Sequence, residues 1–148
     1  MKPGVSRALA AVMGLGFGLL GAGTPASAQE SQFVGVAMFA ESVTGGNGED
    51  GALGDFDSEF DLSGGRICYY LDIDGIRNPN GLAIHEGDEG RNGPLVVQLQ
   101  LPVEPGDETC VNVERAVMDR LLANRDDFYI IVTAIGKPDG AIRGQLGH

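Results

Sequence analysis

The stretch GDFDSEFDLSGGRICYYLDID, residues 54–74, alternates two chemistries with a period of two. Asp55, Asp57, Glu59 and Asp61 fall between Phe56, Ser58, Phe60 and Leu62, and beyond Ser63-Gly64-Gly65 one face collects Ile67, Tyr69, Leu71 and Ile73. Successive side chains of a strand point to opposite faces, so this pattern predicts two strands joined by a turn. One face is buried and the other shows acids to water.

The flanking sequence extends the same pattern. Phe33 to Ala40 (FVGVAMFA) reads as an apolar first strand, and Gly45 to Gly51 as a glycine-rich loop. After the turn-rich DGIRNPNG come a short strand, Leu82 to His85, and a loop carrying Gly87, Gly90 and Gly93. PLVVQLQL then places Leu95, Val97, Leu99 and Leu101 inward, with Gln98 and Gln100 outward, and TCVNV follows. Only VERAVMDRLLAN changes period: Val113, Val117, Met118, Leu121 and Leu122 take helical spacing, predicting a short helix near 113–123 with Asn112 as its N-cap. Phe128 to Ile135 is apolar on both faces, as in a central strand, Lys137-Pro138-Asp139-Gly140 reads as a hairpin turn, and AIRGQL closes the domain. Eight strands and one helix predict an all-β, antiparallel β-sandwich.

The first 28 residues belong to a different class. Lys2 and Arg7 precede an uncharged run from Ala8 to Leu20, and Ala26-Ser27-Ala28 offers small residues to a signal peptidase. This predicts export to a secreted, extracellular or periplasmic location, with cleavage after Ala28 and one domain over residues 29–148. The run is too short and glycine-rich for a spanning helix, so no membrane anchor is expected after cleavage. GFGLLG at residues 16–21 mimics a dinucleotide-binding fingerprint but lies inside this segment, without the strand and helix the motif needs. Of ten basic residues two leave with the signal, so eight face 21 acids, a formal charge of −13. Such a chain repels nucleic acid and anionic lipid, and any charge-driven partner is cationic.

Cys68 and Cys110 make an even count, which in an oxidising compartment favours a disulfide. Both fall on the outward parity of their strands, as a cross-strand bridge requires. No nucleophile–base pair is visible: no serine lies in a GxSxG turn, and His85 is the single histidine of the folded body, His148 standing at the end. Two paired cysteines and one histidine do not supply the three or four ligands of zinc or copper, so His85 is the one weak metal candidate and no cofactor is expected. GGNGEDGAL, residues 45–53, is a single copy of a nonapeptide that binds calcium only when stacked, and reads as a hairpin loop. Asp72 and Asp74 begin like an EF-hand loop, but its twelfth position is Ala83 rather than glutamate. The acidic row Asp55, Asp57, Glu59 and Asp61 is either a solvated face or a cation surface.

The stretch IHEGDEGRNGPLVVQLQL, the helix ending in LLAN and the final FYIIVTAIGKPDGAIRGQL together resemble a chordin-type (CHRD) domain of the secreted bacterial kind. The resemblance runs from Phe33 to Leu146, and Arg143-Gly144-Gln145-Leu146 is its most specific part. It implies an immunoglobulin-like sandwich, distantly like copper–zinc superoxide dismutase. Where relatives carry the histidines of A-H-I-H and N-V-H-T, this chain has Ala83, His85 and Thr133, one imidazole of three. The glycines and Asn92-Gly93 then turn the chain beside His85.

The function this implies is a non-enzymatic module that binds an extracellular protein or glycan. The alternatives are a dismutase-like metalloprotein, with Glu86, Asp88 or Glu89 adding oxygen ligands to His85, and a calcium-stabilised surface module. N-terminal sequencing of exported material is expected to return Gln29 as the first residue; Met1 would remove both the signal and the compartment.

Overall fold

The computed structural model describes residues 30–148, preceded by isolated positions at 4, 18 and 21–23. Apart from those positions, the expected signal segment and its cleavage point after Ala28 lie outside the described residues. Eight strands form one antiparallel sheet: β1 (Ser31–Phe39), β2 (Leu53–Asp61), β3 (Arg66–Asp74), β4 (Pro79–Glu86), β5 (Leu95–Leu99), β6 (Thr109–Asn112), β7 (Phe128–Ala134) and β8 (Lys137–Gln145). Their order is β5-β4-β7-β8-β1-β2-β3-β6, with the one helix, α1 (Arg115–Ala123), between β6 and β7. The all-β fold with a short helix is as the patterning predicts.

The eight strands make one sheet that curls on itself until it nearly closes, rather than two separate sheets. β8 and β1 share the single register pair Phe39↔Arg143, and there the sheet bends into two four-stranded halves. A Cβ on Gly144 would stand 2.4 Å from the carbonyl oxygen of Ala37, so only glycine lets the strands approach at this seam. Between the halves lie Val34, Val36 and Met38 of β1, Phe56 and Phe60 of β2, Ile67 and Tyr69 of β3, Ile84 of β4, and Ile130 and Val132 of β7, closed by Met118 and Leu121 of α1. The Tyr69 hydroxyl, in the core 5.1 Å ring to ring from Phe56, donates to the Gln100 carbonyl at 2.7 Å and accepts from the Gln100 N–H at 2.8 Å. It thereby ties β3 to the chain leaving β5 near the opposite end of the strand order, and burial pushes its phenol above the usual tyrosine range.

Several local expectations change. The last hairpin turns at Ile135 and Gly136, because Ala134 already pairs with Lys137; Pro138-Asp139-Gly140 lies inside β8, where a register irregularity and the positive φ of Gly140 absorb the mismatch. α1 begins after Glu114 rather than Asn112, since Asn112 remains paired with Arg66 in the β3–β6 ladder. β4 starts at Pro79, earlier than the turn-rich composition suggests. Between Ile84 and His85 the β4–β5 register shifts, so that Ile84 faces Val97 but His85 faces Leu95. One extra residue reverses side-chain parity, and Leu95, expected inward, is 53% exposed.

The loop after β1 is packed rather than open. Glu49 is buried, its carboxylate 2.8 Å from Arg77 Nε, and the Arg77 N–H donates to its second oxygen at 3.1 Å. Those bonds from Arg77 hold the Glu49 carboxyl below the usual range. Asp61 also leaves the acidic row: it accepts from the Gly64 N–H at 2.7 Å and from Ser63, pairs with Arg66, and is buried in the β2–β3 turn.

Cys68 and Cys110 face each other in the β3–β6 ladder and form the expected disulfide. It fastens the four-residue edge strand β6, which has one sheet neighbour, to β3. The bridge spans 42 residues, for which chain entropy gives about 4 kcal/mol as an upper value. Reduction, or Cys68→Ala with Cys110→Ala, is expected to lower unfolding free energy by about 2–4 kcal/mol in urea titrations; an unchanged midpoint would show that the sheet holds β6 without it.

Candidate functional site: the His85 loop and the outer sheet faces

Leu82 and Ile84 occupy the inner face of β4, which turns Ala83 and His85 outward. Across the ladder His85 pairs with Tyr129 and Ala83 with Ile131; one strand further these face Gln145 and Arg143. The loop over residues 87–93 folds back over this outer face. Its tight turn is Asp88–Arg91, closed by the Arg91 N–H on the Asp88 carbonyl at 3.0 Å, rather than Asn92-Gly93. Gly93 instead serves close approach, since a Cβ there would lie 1.9 Å from the Glu86 carbonyl oxygen.

Arg143 sits at the centre of this assembly, 1% exposed, and among the described residues no carboxylate forms a salt bridge with it. Nη1 donates to Thr44 Oγ1 at 2.8 Å and Asn92 Oδ1 at 3.1 Å; Nη2 donates to the Asp88 carbonyl at 2.8 Å and Gln145 Oε1 at 2.9 Å. The guanidinium carbon lies 3.5 Å from the centroid of the Tyr129 ring. Desolvation lowers the arginine pKa, yet a guanidinium has ample margin to stay charged at neutral pH. Gln145 extends the clamp through Nε2, which donates to the carbonyls of Gly87, Asp126 and Phe128. The terminal RGQL run is therefore structural in each residue: two polar hooks, a glycine at the seam, and Leu146 in the core.

His85 is a further tether of the loop. Nδ1 lies 3.0 Å from the Gly93 carbonyl, which can only accept, so Nδ1 carries the hydrogen. The ring stacks on Tyr129 at 5.4 Å, and the Tyr129 hydroxyl accepts from the Gly93 N–H at 3.2 Å.

The fold does bring positions 83, 85 and 133 together. They line one depression of about 320 Å³ with Asn80, Leu95 and Gln98. The donor set does not fit copper or zinc: beside one imidazole stand an alanine, a threonine whose hydroxyl donates to Asn80 at 2.9 Å, and a glutamine bonded to backbone. Of the nearby carboxylates, Glu86 is bound by Arg120 at 2.6 Å and Asp88 lies 3.6 Å from Arg91. Among the described residues, no three His, Cys, Asp or Glu side chains group closely enough to share an ion.

A second surface lies on the other half of the sheet. Outward from β1 point Phe33, Gly35, Ala37 and Phe39; from β2, Leu53, Asp55, Asp57 and Glu59; from β3, Cys68, Tyr70 and Asp72. Phe33 is 75% and Tyr70 49% exposed, and Phe39 and Leu53, paired with each other, are also uncovered. Among the described residues no cation pairs with Asp55, Asp57, Glu59 or Asp72, so the row is an open acidic face apart from Asp61. Period-two reading locates the acids; applied equally to FVGVAMFA, it would have found the outward phenylalanines. Arg143 had a comparable signal as the one charged residue of the closing AIRGQL.

Fold and loop define a small, disulfide-bonded, all-β module. The CHRD domain family profile matches residues 35–146, and the chain belongs to the CHRD domain family. Members are extracellular-type modules, generally non-catalytic, of unknown specific role. Searches of curated proteins and of solved structures returned no match. Among the described residues no helix is long and apolar enough to cross a membrane.

Replacing Arg143 by lysine removes the fork and leaves buried acceptors without donors, at about 1–3 kcal/mol each when unsatisfied. Arg143→Lys is expected to cost about 2–4 kcal/mol in chemical denaturation and to speed amide exchange across residues 87–93. His85→Ala loses one hydrogen bond and one stacked pair and is expected to cost about 1–2 kcal/mol. Equal losses from the two changes would show that Arg143 is not the principal clamp.

Proposed function

We propose that this chain is an exported, non-enzymatic interaction module, cleaved after Ala28, whose domain over residues 29–148 binds an extracellular protein or glycan. The observation that carries the reading is a division of labour between the two sheet faces. The conspicuous polar residues of the His85 face, namely Arg143, Gln145, Tyr129 and His85 itself, bond to their own loops. The β1–β2–β3 face leaves aromatic rings and carboxylates uncommitted. Monomeric proteins seldom expose adjacent large apolar groups without use, and exposed aromatics are the usual anchors of interfaces. Export explains the disulfide, and the acidity of the mature chain favours solubility.

The test pairs two measurements on protein recovered after export. Cross-linking in its native extracellular milieu is expected to enrich a discrete partner, and elemental analysis with a dismutase assay is expected to find neither stoichiometric metal nor turnover. One copper or zinc per chain, lost in His85→Ala together with superoxide dismutation, would replace this reading with the metalloprotein one.

A further inference from the structure

The β1–β2–β3 face carries a built depression as well as exposed rings. Phe33 and Tyr70 wall a slot of about 310 Å³, lined below and beside them by Gly35, Asp57, Glu59 and Glu108. That volume stands at the bottom of the roughly 300–1,000 Å³ range of small-molecule sites and suits a single side chain. The slot exists because residue 35 has no side chain: a Cβ there would point into it, 3.1 Å from Asp57 Oδ1. The slot runs on into a polar groove that shares Glu59, Cys68 and Glu108 and ends at Arg66, which is held by Asp61 at 3.2 Å.

We infer that this slot is the docking point for an arginine side chain on a basic segment of an extracellular protein. Three features select that chemistry. Phe33 on β1 and Tyr70 on β3 are two strand spacings apart across the sheet and two residues apart along it, since Phe33 stands in the row of Glu59 and Cys68 while Tyr70 stands in the row of Asp57 and Gly35. That is roughly 11–12 Å at the backbone, which leaves room above Gly35 for a planar group laid against either ring. A guanidinium offers apolar faces to such rings and donors at its edge, where Asp57 and Glu59 have no cation among the described residues. The same fold already stacks a guanidinium on a ring, Arg143 on Tyr129 at 3.5 Å. At long range the acidity of the domain steers a basic partner toward it. A bare divalent ion fits less well, because carboxylates two residues apart on one strand are separated by roughly 6.5–7 Å along it and do not converge.

This inference rests on the reading of the chain as a binding module, and its test separates the two. The decisive variant is Gly35→Val, which fills the slot with a strand-compatible side chain and leaves the charge unchanged. The probe is a short arginine-rich peptide titrated into the exported protein, followed by calorimetry and by amide shifts. Wild type is expected to bind with shifts centred on residues 33–35, 57–59 and 70. Gly35→Val and Asp57→Asn/Glu59→Gln should each weaken binding at least tenfold, while Asp139→Asn, an acid change far from the slot, should leave it within twofold. Folding of each variant is checked by its unfolding midpoint. Equal weakening in Asp139→Asn, or full affinity in Gly35→Val, would mean only diffuse charge attraction and would overturn the inference. The same shifts on adding calcium or a neutral oligosaccharide alone would overturn it in favour of an ion or a glycan. If the cross-linked extracellular partner is still captured by Gly35→Val, the arginine slot falls and the binding-module reading stands.

Discussion

A single buried guanidinium organises half of this molecule. Arg143 is inserted from β8 beneath two loops and is balanced by neutral oxygens and an aromatic face rather than by a carboxylate. Four acceptors from three separate segments must converge on one planar donor, so the loop over 87–93, the turn at Thr44 and strand β8 have little freedom to move independently. A buried charge with an incomplete shell would be costly, so each of those contacts constrains the others. The seam between the sheet halves lies on the same residue, since Phe39↔Arg143 is the register pair that joins β1 to β8.

This constraint changes the meaning of the His85 region. A histidine beside acids, glycines and an Asn-Gly pair suggests a site for chemistry, and the fold does gather positions 83, 85 and 133 in one depression. Yet His85 binds the Gly93 carbonyl, Glu86 meets Arg120, and Tyr129 supports Arg143. The polar chemistry is directed at the protein's own loops. Uncommitted chemistry lies on the other half of the sheet, where small residues at 35 and 37 leave the rings of Phe33 and Tyr70 standing above a field of carboxylates.

The disulfide and the tyrosine bridge solve a different problem. A curled sheet with ends at β5 and β6 has two edges to protect. The Cys68–Cys110 bond fastens the short β6 across its ladder, and Tyr69 reaches from β3 to both backbone groups of Gln100 just past β5. The sheet is thus held nearly closed without a continuous ring of strand pairing.

Alternation along residues 54–74, the helical spacing of Val117, Met118 and Leu121, and the matched outward parity of Cys68 and Cys110 determined the strand faces, the helix and the disulfide, because each depends on a local period. Tertiary structure decided the rest. The register shift between Ile84 and His85 that turns Leu95 outward, the hairpin placed at Ile135–Gly136, and the removal of Asp61 into a turn all depend on which strand lies opposite and in what register. The shell of Arg143 depends on residues 51 and 99 positions away, Asn92 and Thr44. A sequence period reports which way a side chain points, but only packing between distant segments reports what it meets there.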